Sequence, residues 1–241
     1  MQEPTSDLQT NVSQIVANAL TIAADGLARW LGHPIEAEDV VANPVSLAVP
    51  EEVMCCCTMP VDVAIGGSKS DAGPLEMQSA GRLLLAWRAD EAAWLIDQSL
   101  HQRGTSSDPS TWGDLERSAI AETSNVVGCE FLNAIAKSVR EISNTEVSLM
   151  PDPPYVEMQL AGSWMDDAII QVESSNDERE KAWLATGTFQ VASHAIHTRF
   201  AMVWCPVGWQ RLTDLVGDTV NGDSGASGES SEGTASSGGE D

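Results

Sequence analysis

Basic residues are scarce in this chain: 12 Lys and Arg stand against 36 Asp and Glu, a net charge of −24. A surface of that sign repels phosphate backbones and anionic lipid, which argues against nucleic acid and membrane as partners. It is compatible with a partner that presents Lys or Arg, and solubility alone also accounts for it. Long apolar runs are missing as well, and none approaches the ~20 residues that a membrane helix needs. The opening residues, MQEPTSDLQTN, are polar and acidic with no apolar stretch of the signal-peptide kind. The five cysteines are odd in number, and Cys55, Cys56 and Cys57 are adjacent. Neighbouring cysteines pair poorly, so a disulfide framework is not expected. These absences read together as a cytoplasmic protein.

Two kinds of chemistry are also missing. There is no Gly-rich phosphate loop, and no Ser-His-Asp arrangement can be assembled. His194 and His197, with the cysteine run, are the raw material of a metal site. Histidines three apart on a strand point to opposite faces, however, and no Cys-x2-Cys pair exists. No metal and no cofactor of its own is expected, and the cysteines are expected to be buried or at a sheet edge. Among the eight tryptophans, Trp30, Trp94, Trp183 and Trp204 fall in apolar patterns and are expected in the core.

With 42% apolar residues, the remainder reads as a globular body over roughly 10–216, behind a short extension at 1–9. From Gly217 onward the chain holds six acids, no base and one sizeable apolar side chain, Val220. Such a segment cannot bury enough surface to offset its ordering entropy, so 217–241 reads as a disordered acidic tail.

Within the body the same order of elements occurs twice. SQIVANALTIAADGLARWLG carries Ile15, Leu20, Leu27 and Leu31 at helical intervals and stops at Gly32. Extended segments follow near VSLAVP and TMPVDVAIGG, then a strand, GRLLLAWRA, and a helix, DEAAWLIDQSLHQ. After a loop at 104–111, a second long helix is expected over about 112–141, with cap candidates from Asp108 to Thr111. A Pro-rich crossing, EVSLMPDPPYVEM, leads to DDAIIQVES, KAWLATGTFQVAS and HTRFAMVWC, all read as strands, and to a short helix at WQRLTDLV. VSL recurs at 45–47 and 147–149. The expected fold is therefore α+β: a pseudo-twofold duplication, about 10–103 and 110–216, with long helices packed on an antiparallel sheet.

The second long helix contains SAIAETSNVVG, 118–128. At ~100° per residue, Ser118, Glu122 and Asn125 lie within ~60° of one another, while Val127, Phe131, Ile135 and Val139 point elsewhere. Asn costs ~0.5 kcal/mol and Gly about 1 kcal/mol in a helix interior relative to Ala, so Asn125 and Gly128 are not there for helix propensity. Polar residues three and four apart also occur on any solvated helix face.

The pattern S-x3-E-x2-N resembles the active-site motif of the CheC/CheX/FliY chemotaxis phosphatases, in which Asp or Ser, Glu and Asn are followed by a proline some twenty-odd residues on. The resemblance extends to AADGLARWLG, to GRLLLAWRADEAAWLIDQSL, and to the closing stretch from AWLATGTFQ to RLTDLV, and so covers the whole body. Two departures stand out. On the first helix the matching positions are Thr10, Gln14 and Ala17, which lack the acid and the amide, so that copy is expected to be inactive. Pro151 lies 26 residues after Asn125, so Pro153 and Pro154 compete for the proline's place.

The resemblance implies a substrate, the aspartyl-phosphate of a CheY-like receiver domain whose own Mg2+ and Lys supply most of the chemistry. It assigns Asn125 to orienting the attacking water and Glu122 to pairing with the receiver's lysine. Ser118 would support Glu122 or touch the receiver at the rim, and Gly128 would let another backbone approach. A CheD-like protein and a second copy of the chain are further candidate partners. The alternative is a non-catalytic module that docks a receiver domain or a flagellar-switch protein through the same face.

Overall fold

The computed structural model describes residues 6–42, 52–66, 77–174, 181–192 and 194–222. The extended segment expected at VSLAVP and the tail beyond 222 lie outside them. In the first half, helix α1 (Ser6–Leu31) precedes strands β1 (Ile35–Ala42), β2 (Val53–Ile65) and β3 (Met77–Trp87) and helix α2 (Ala89–Ser99). In the second half, helix α3 (Asp114–Ser143) leads to β4 (Val147–Pro151), β5 (Tyr155–Leu160), helix α4 (Ala161–Ser174), β6 (Trp183–Val191), β7 (His197–Trp204) and helix α5 (Pro206–Gly222).

Among the described residues, seven strands join one antiparallel sheet in the order β1-β6-β7-β3-β2-β4, with β5 also paired to β2. Exchanging each first-half strand for its second-half equivalent reverses this order onto itself, and the pseudo-twofold passes between β7 and β3. The α+β duplication expected from the sequence is the fold observed. The helices α1 and α3 lie antiparallel on one face of the sheet: Trp30 near the end of α1 reaches Thr123, and Val12, Ile15 and Val16 near its start line a space with Ile135 and Val139.

The other face is covered in part by α4. Burial on both faces explains the uninterrupted apolar runs. Cys55, Cys57, Met59, Leu83 and Leu85 pack toward α1 and α3, whereas Cys56, Leu84 and Ala86 pack toward α4. All three adjacent cysteines are fully buried, and burial pushes each thiol up to about 12, so they stay protonated at neutral pH.

Several expectations are corrected. DDAIIQVES is the second half of α4, not a strand. Its anchors, Ala161, Trp164, Met165, Ala168 and Val172, are spaced by three and four and begin upstream of the β-branched residues that read as a strand. The Pro-rich crossing forms two short strands, β4 and β5, either side of a link at 152–154. Strand β1 was not foreseen, although Ile35, Glu36, Ala37 and Glu38 alternate in and out.

The boundaries also move. Helix α1 begins at Ser6, inside the expected extension, and α5 continues to Gly222, inside the expected tail. Asp108 caps the 3-10 turn Pro109–Thr111 by accepting from Ser110 N at 3.0 Å, not α3 itself. Helix α3 is capped in front by Gly113, whose N–H donates to Glu116 Oε2 at 3.0 Å, and behind by Asn144 in the left-handed conformation. Trp204 is buried as expected, but Trp94 and Trp183 are half-buried and Trp30 is exposed.

Candidate functional site

Helix α3 is held to the sheet by Ile120, Val127, Phe131, Leu132, Ile135 and Val139, all buried. With that stripe fixed, the rotation of the helix dictates which residues face outward. Ser118 and Glu122 are exposed and Asn125 is half-buried, so the structure brings the three together on one open face. Their spacing along α3 matches that expected from the sequence.

Two close approaches set the depth of this face. A Cβ on Gly128 would lie 2.7 Å from Met59 Cε of β2, so the glycine lets α3 settle onto the sheet. What approaches is the Met59 side chain rather than a backbone. A Cβ on Gly26 of α1 would lie 2.6 Å from Glu130 Cγ, which marks where α1 and α3 press together. Glu130 also pairs with Arg29 at 2.8 Å.

Behind the face, Thr123 links three helices. Its hydroxyl donates to Ala119 O at 2.8 Å, accepts from Trp30 Nε1 at 3.2 Å, and lies 3.2 Å from Ser99 Oγ of α2. This bond explains why Trp30, expected in the core, sits near the site with its ring partly exposed. Thr123 neighbours Glu122 in the chain, so the three-helix junction fixes where that carboxylate emerges.

On the face itself, Cys129 Sγ donates to Asn125 Oδ1 at 3.5 Å, one helical turn on. The half-buried thiol is pushed up by burial, then by Glu122 and Glu130, and so keeps its proton. Asn125 Nδ2 and the Glu122 carboxylate have no hydrogen-bond or ion-pair partner among the described residues. Nor does Ser118 hydrogen-bond to Glu122 there. The face thus presents an unpaired carboxylate, able to receive a cation, beside an amide N–H able to hold water or an anionic oxygen. Cys129 was not singled out from the sequence, although its place four residues after Asn125 puts it on the same stripe.

The first-helix counterparts are arranged differently. Thr10 and Gln14 are exposed and Ala17 is half-buried; Gln14 Nε2 donates to Asn18 Oδ1 at 2.9 Å. Antiparallel packing places them at the opposite end of the helix pair from Asn125. Among the prolines, Pro151 pairs with Val61, and Asp152 N donates to Pro60 O at 2.8 Å. The link with Pro153 and Pro154 therefore crosses beside Met59, at the level of Gly128, whereas Pro151 lies further along the sheet. His194 and His197 also part company: His194 meets the His33 ring edge-on and the Trp94 ring at a tilt, and His197 lies beside Glu91.

A seven-stranded antiparallel sheet of this order, with paired long helices on one face, is the CheC/CheX/FliY type of fold. FliY from Thermotoga maritima superimposes with a TM-score of 0.56 at 16% identity, covering 90% of this chain and 100% of that one. A chain of the FliM–SpeE complex from H. pylori gives 0.52 at 10% identity, with 91% and 100% covered. The chemotaxis protein CheX from Vibrio vulnificus gives 0.48 at 10% identity, with 79% and 99% covered. No family model matches this sequence. No curated protein matches it either. Among the described residues, no helix is long and apolar enough to cross a membrane.

Proposed function

We propose that this protein acts in chemotaxis-type signalling as a phosphatase for the aspartyl-phosphate of a CheY-like receiver domain, through Glu122 and Asn125. The observation that carries this reading is the pairing, on one open helix face, of an unpaired carboxylate with an amide whose Nδ2 is unengaged. A shared fold does not carry an activity with it, so catalysis is argued from the α3 face.

An acyl phosphate is already activated, and hydrolysis needs chiefly a water held in line behind phosphorus. A neutral amide suits this task, since it can accept from the water and donate to a phosphoryl oxygen without adding negative charge. Glu122, more exposed and one turn earlier, docks the receiver by a charge-assisted contact with its active-site lysine. Mg2+ belongs to the receiver and neutralises charge on the phosphoryl group there. Cys129 keeps Asn125 Oδ1 partly engaged, so the amide turns its Nδ2 outward. Ser118 lies at the rim, within the area a receiver would cover. The first-helix copy contributes no chemistry, because Gln14 is bonded to Asn18 and Ala17 has no polar atom.

The test is to follow phosphoryl loss from a set of Mg2+-loaded, phosphorylated receiver domains with and without the protein. Faster loss from at least one receiver is expected. Binding of a phosphorylated receiver without acceleration would instead make the α3 face a docking surface only.

A further inference from the structure

On the sheet face opposite α1 and α3, a cleft of about 390 Å³ opens between α4 and strands β2, β3 and β5. Its volume falls in the range of roughly 300–1,000 Å³ that small-molecule sites occupy. Arg82, half-buried on β3 opposite Pro60, lines it together with Glu157 and Gln159 of β5 and Asp167 of α4. Tyr155, which is 64% exposed, stands at one side, and Trp164 forms a wall with its Nε1 donating to Thr58 Oγ1 at 2.8 Å.

These charges do not satisfy one another. Among the described residues, Arg82, Glu157 and Asp167 have no side-chain hydrogen bond and no ion pair, although all three line the same cleft. The half-buried Arg82 guanidinium shares the cleft with two carboxylates, neither of them within ion-pair distance, so its donors are open to a ligand's carboxylate. One guanidinium calls for one carboxylate, and two carboxylates call for two cationic groups.

We propose that this cleft binds a basic α-amino acid of the arginine or lysine type. The ligand's α-carboxylate lies on the Arg82 guanidinium, a geometry that allows two parallel hydrogen bonds. Its α-ammonium and side-chain cation face Glu157 and Asp167, and its aliphatic stem runs between the Tyr155 and Trp164 rings. A ligand of net charge +1 neutralises a site of net charge −1. Because cleft and α3 face lie on opposite sides of the sheet, the site stands or falls independently of the phosphatase reading.

The test is a calorimetric titration of the full chain with L-arginine, L-lysine and agmatine, which keeps both cations of arginine and lacks the carboxylate. Saturable 1:1 binding of L-arginine or L-lysine is expected, with agmatine weaker by about tenfold or more, the range of one charge-assisted contact. Arg82→Gln should remove the preference over agmatine. Asp167→Asn, a change at an exposed position that spares the fold, should weaken all three ligands. Phosphoryl loss from receivers should be unaltered in both variants. Agmatine binding as tightly as L-arginine, no saturable binding of either amino acid, or binding undiminished by Asp167→Asn would overturn the proposal.

Discussion

Adding one methyl group at Gly128 tests how closely α3 sits on the sheet. In Gly128→Ala the new Cβ lies 2.7 Å from Met59 Cε, 3.3 Å from Met59 Sδ and 3.6 Å from Leu83 Cδ1. Met59 and Leu83 are both fully buried, so neither has solvent to move into. Replacing a helix-interior glycine by alanine is worth about 1 kcal/mol in propensity. Forcing a methyl into a packed core costs ~1–3 kcal/mol, and the flexible thioether should keep this near the middle of that range. The expected result is a net loss of about 1 kcal/mol, read by urea unfolding as a lower midpoint at unchanged slope. In a Met59→Ala background the obstruction is gone, and the same Gly128→Ala change should stabilise by about 1 kcal/mol. The two sites should thus couple by about 2 kcal/mol, as residues in direct contact do. A gain of about 1 kcal/mol from Gly128→Ala in the parent would show that Met59 does not press on α3, and would refute the packing described.

Three further outcomes are expected. Glu122→Gln should weaken association with a phosphorylated receiver by about tenfold and flatten its salt dependence, measured by titration at two ionic strengths, because it removes a charge-assisted contact. Gln14→Ala should leave the rate of phosphoryl loss unchanged in the same assay used for the parent; a large drop would place a working site on α1. Asp97, despite a burial effect that raises its pKa, is held low on balance by hydrogen bonds from Thr105 and Gly104 and by nearby Arg103. A lowered folded pKa contributes stability that is present above the unfolded carboxylate value of ~3.9 and is lost as the pH falls through the folded value. Asp97→Asn should therefore lower the melting temperature at pH 7, and the difference should shrink on acidification through that window.

The parts of this molecule that could be read in its sequence are those fixed by one segment's own periodicity. The stripe Val127, Phe131, Ile135 and Val139 turns one side of α3 inward, which leaves Ser118, Glu122 and Asn125 outside wherever the helix packs. The second half of α4 reads as a strand because Ile169, Ile170 and Val172 favour strands locally, while the spacing that decides for helix begins at Ala161. Strand β1, with its acidic outward positions, shows alternation over too few residues to stand out from the surrounding loops. What no single segment holds is the relation between segments. Trp30 bonded to Thr123, Met59 filling the space at Gly128, and Arg82 and Asp167 lining one cleft are all consequences of the packed sheet. Cys129 lies between these cases, since its spacing from Asn125 was visible and its thiol contact was not.

In the proposed function Asn125 orients a water for attack on a receiver's aspartyl-phosphate and contributes little to docking. Single-turnover phosphoryl loss should be measured with saturating parent protein and with saturating Asn125→Ala, alongside the affinity of each for a beryllofluoride-loaded receiver, a stable mimic of the phosphorylated state. The expected result is that Asn125→Ala binds the mimic nearly as well as the parent while its acceleration of phosphoryl loss disappears. Acceleration by Asn125→Ala equal to that of the parent would contradict it.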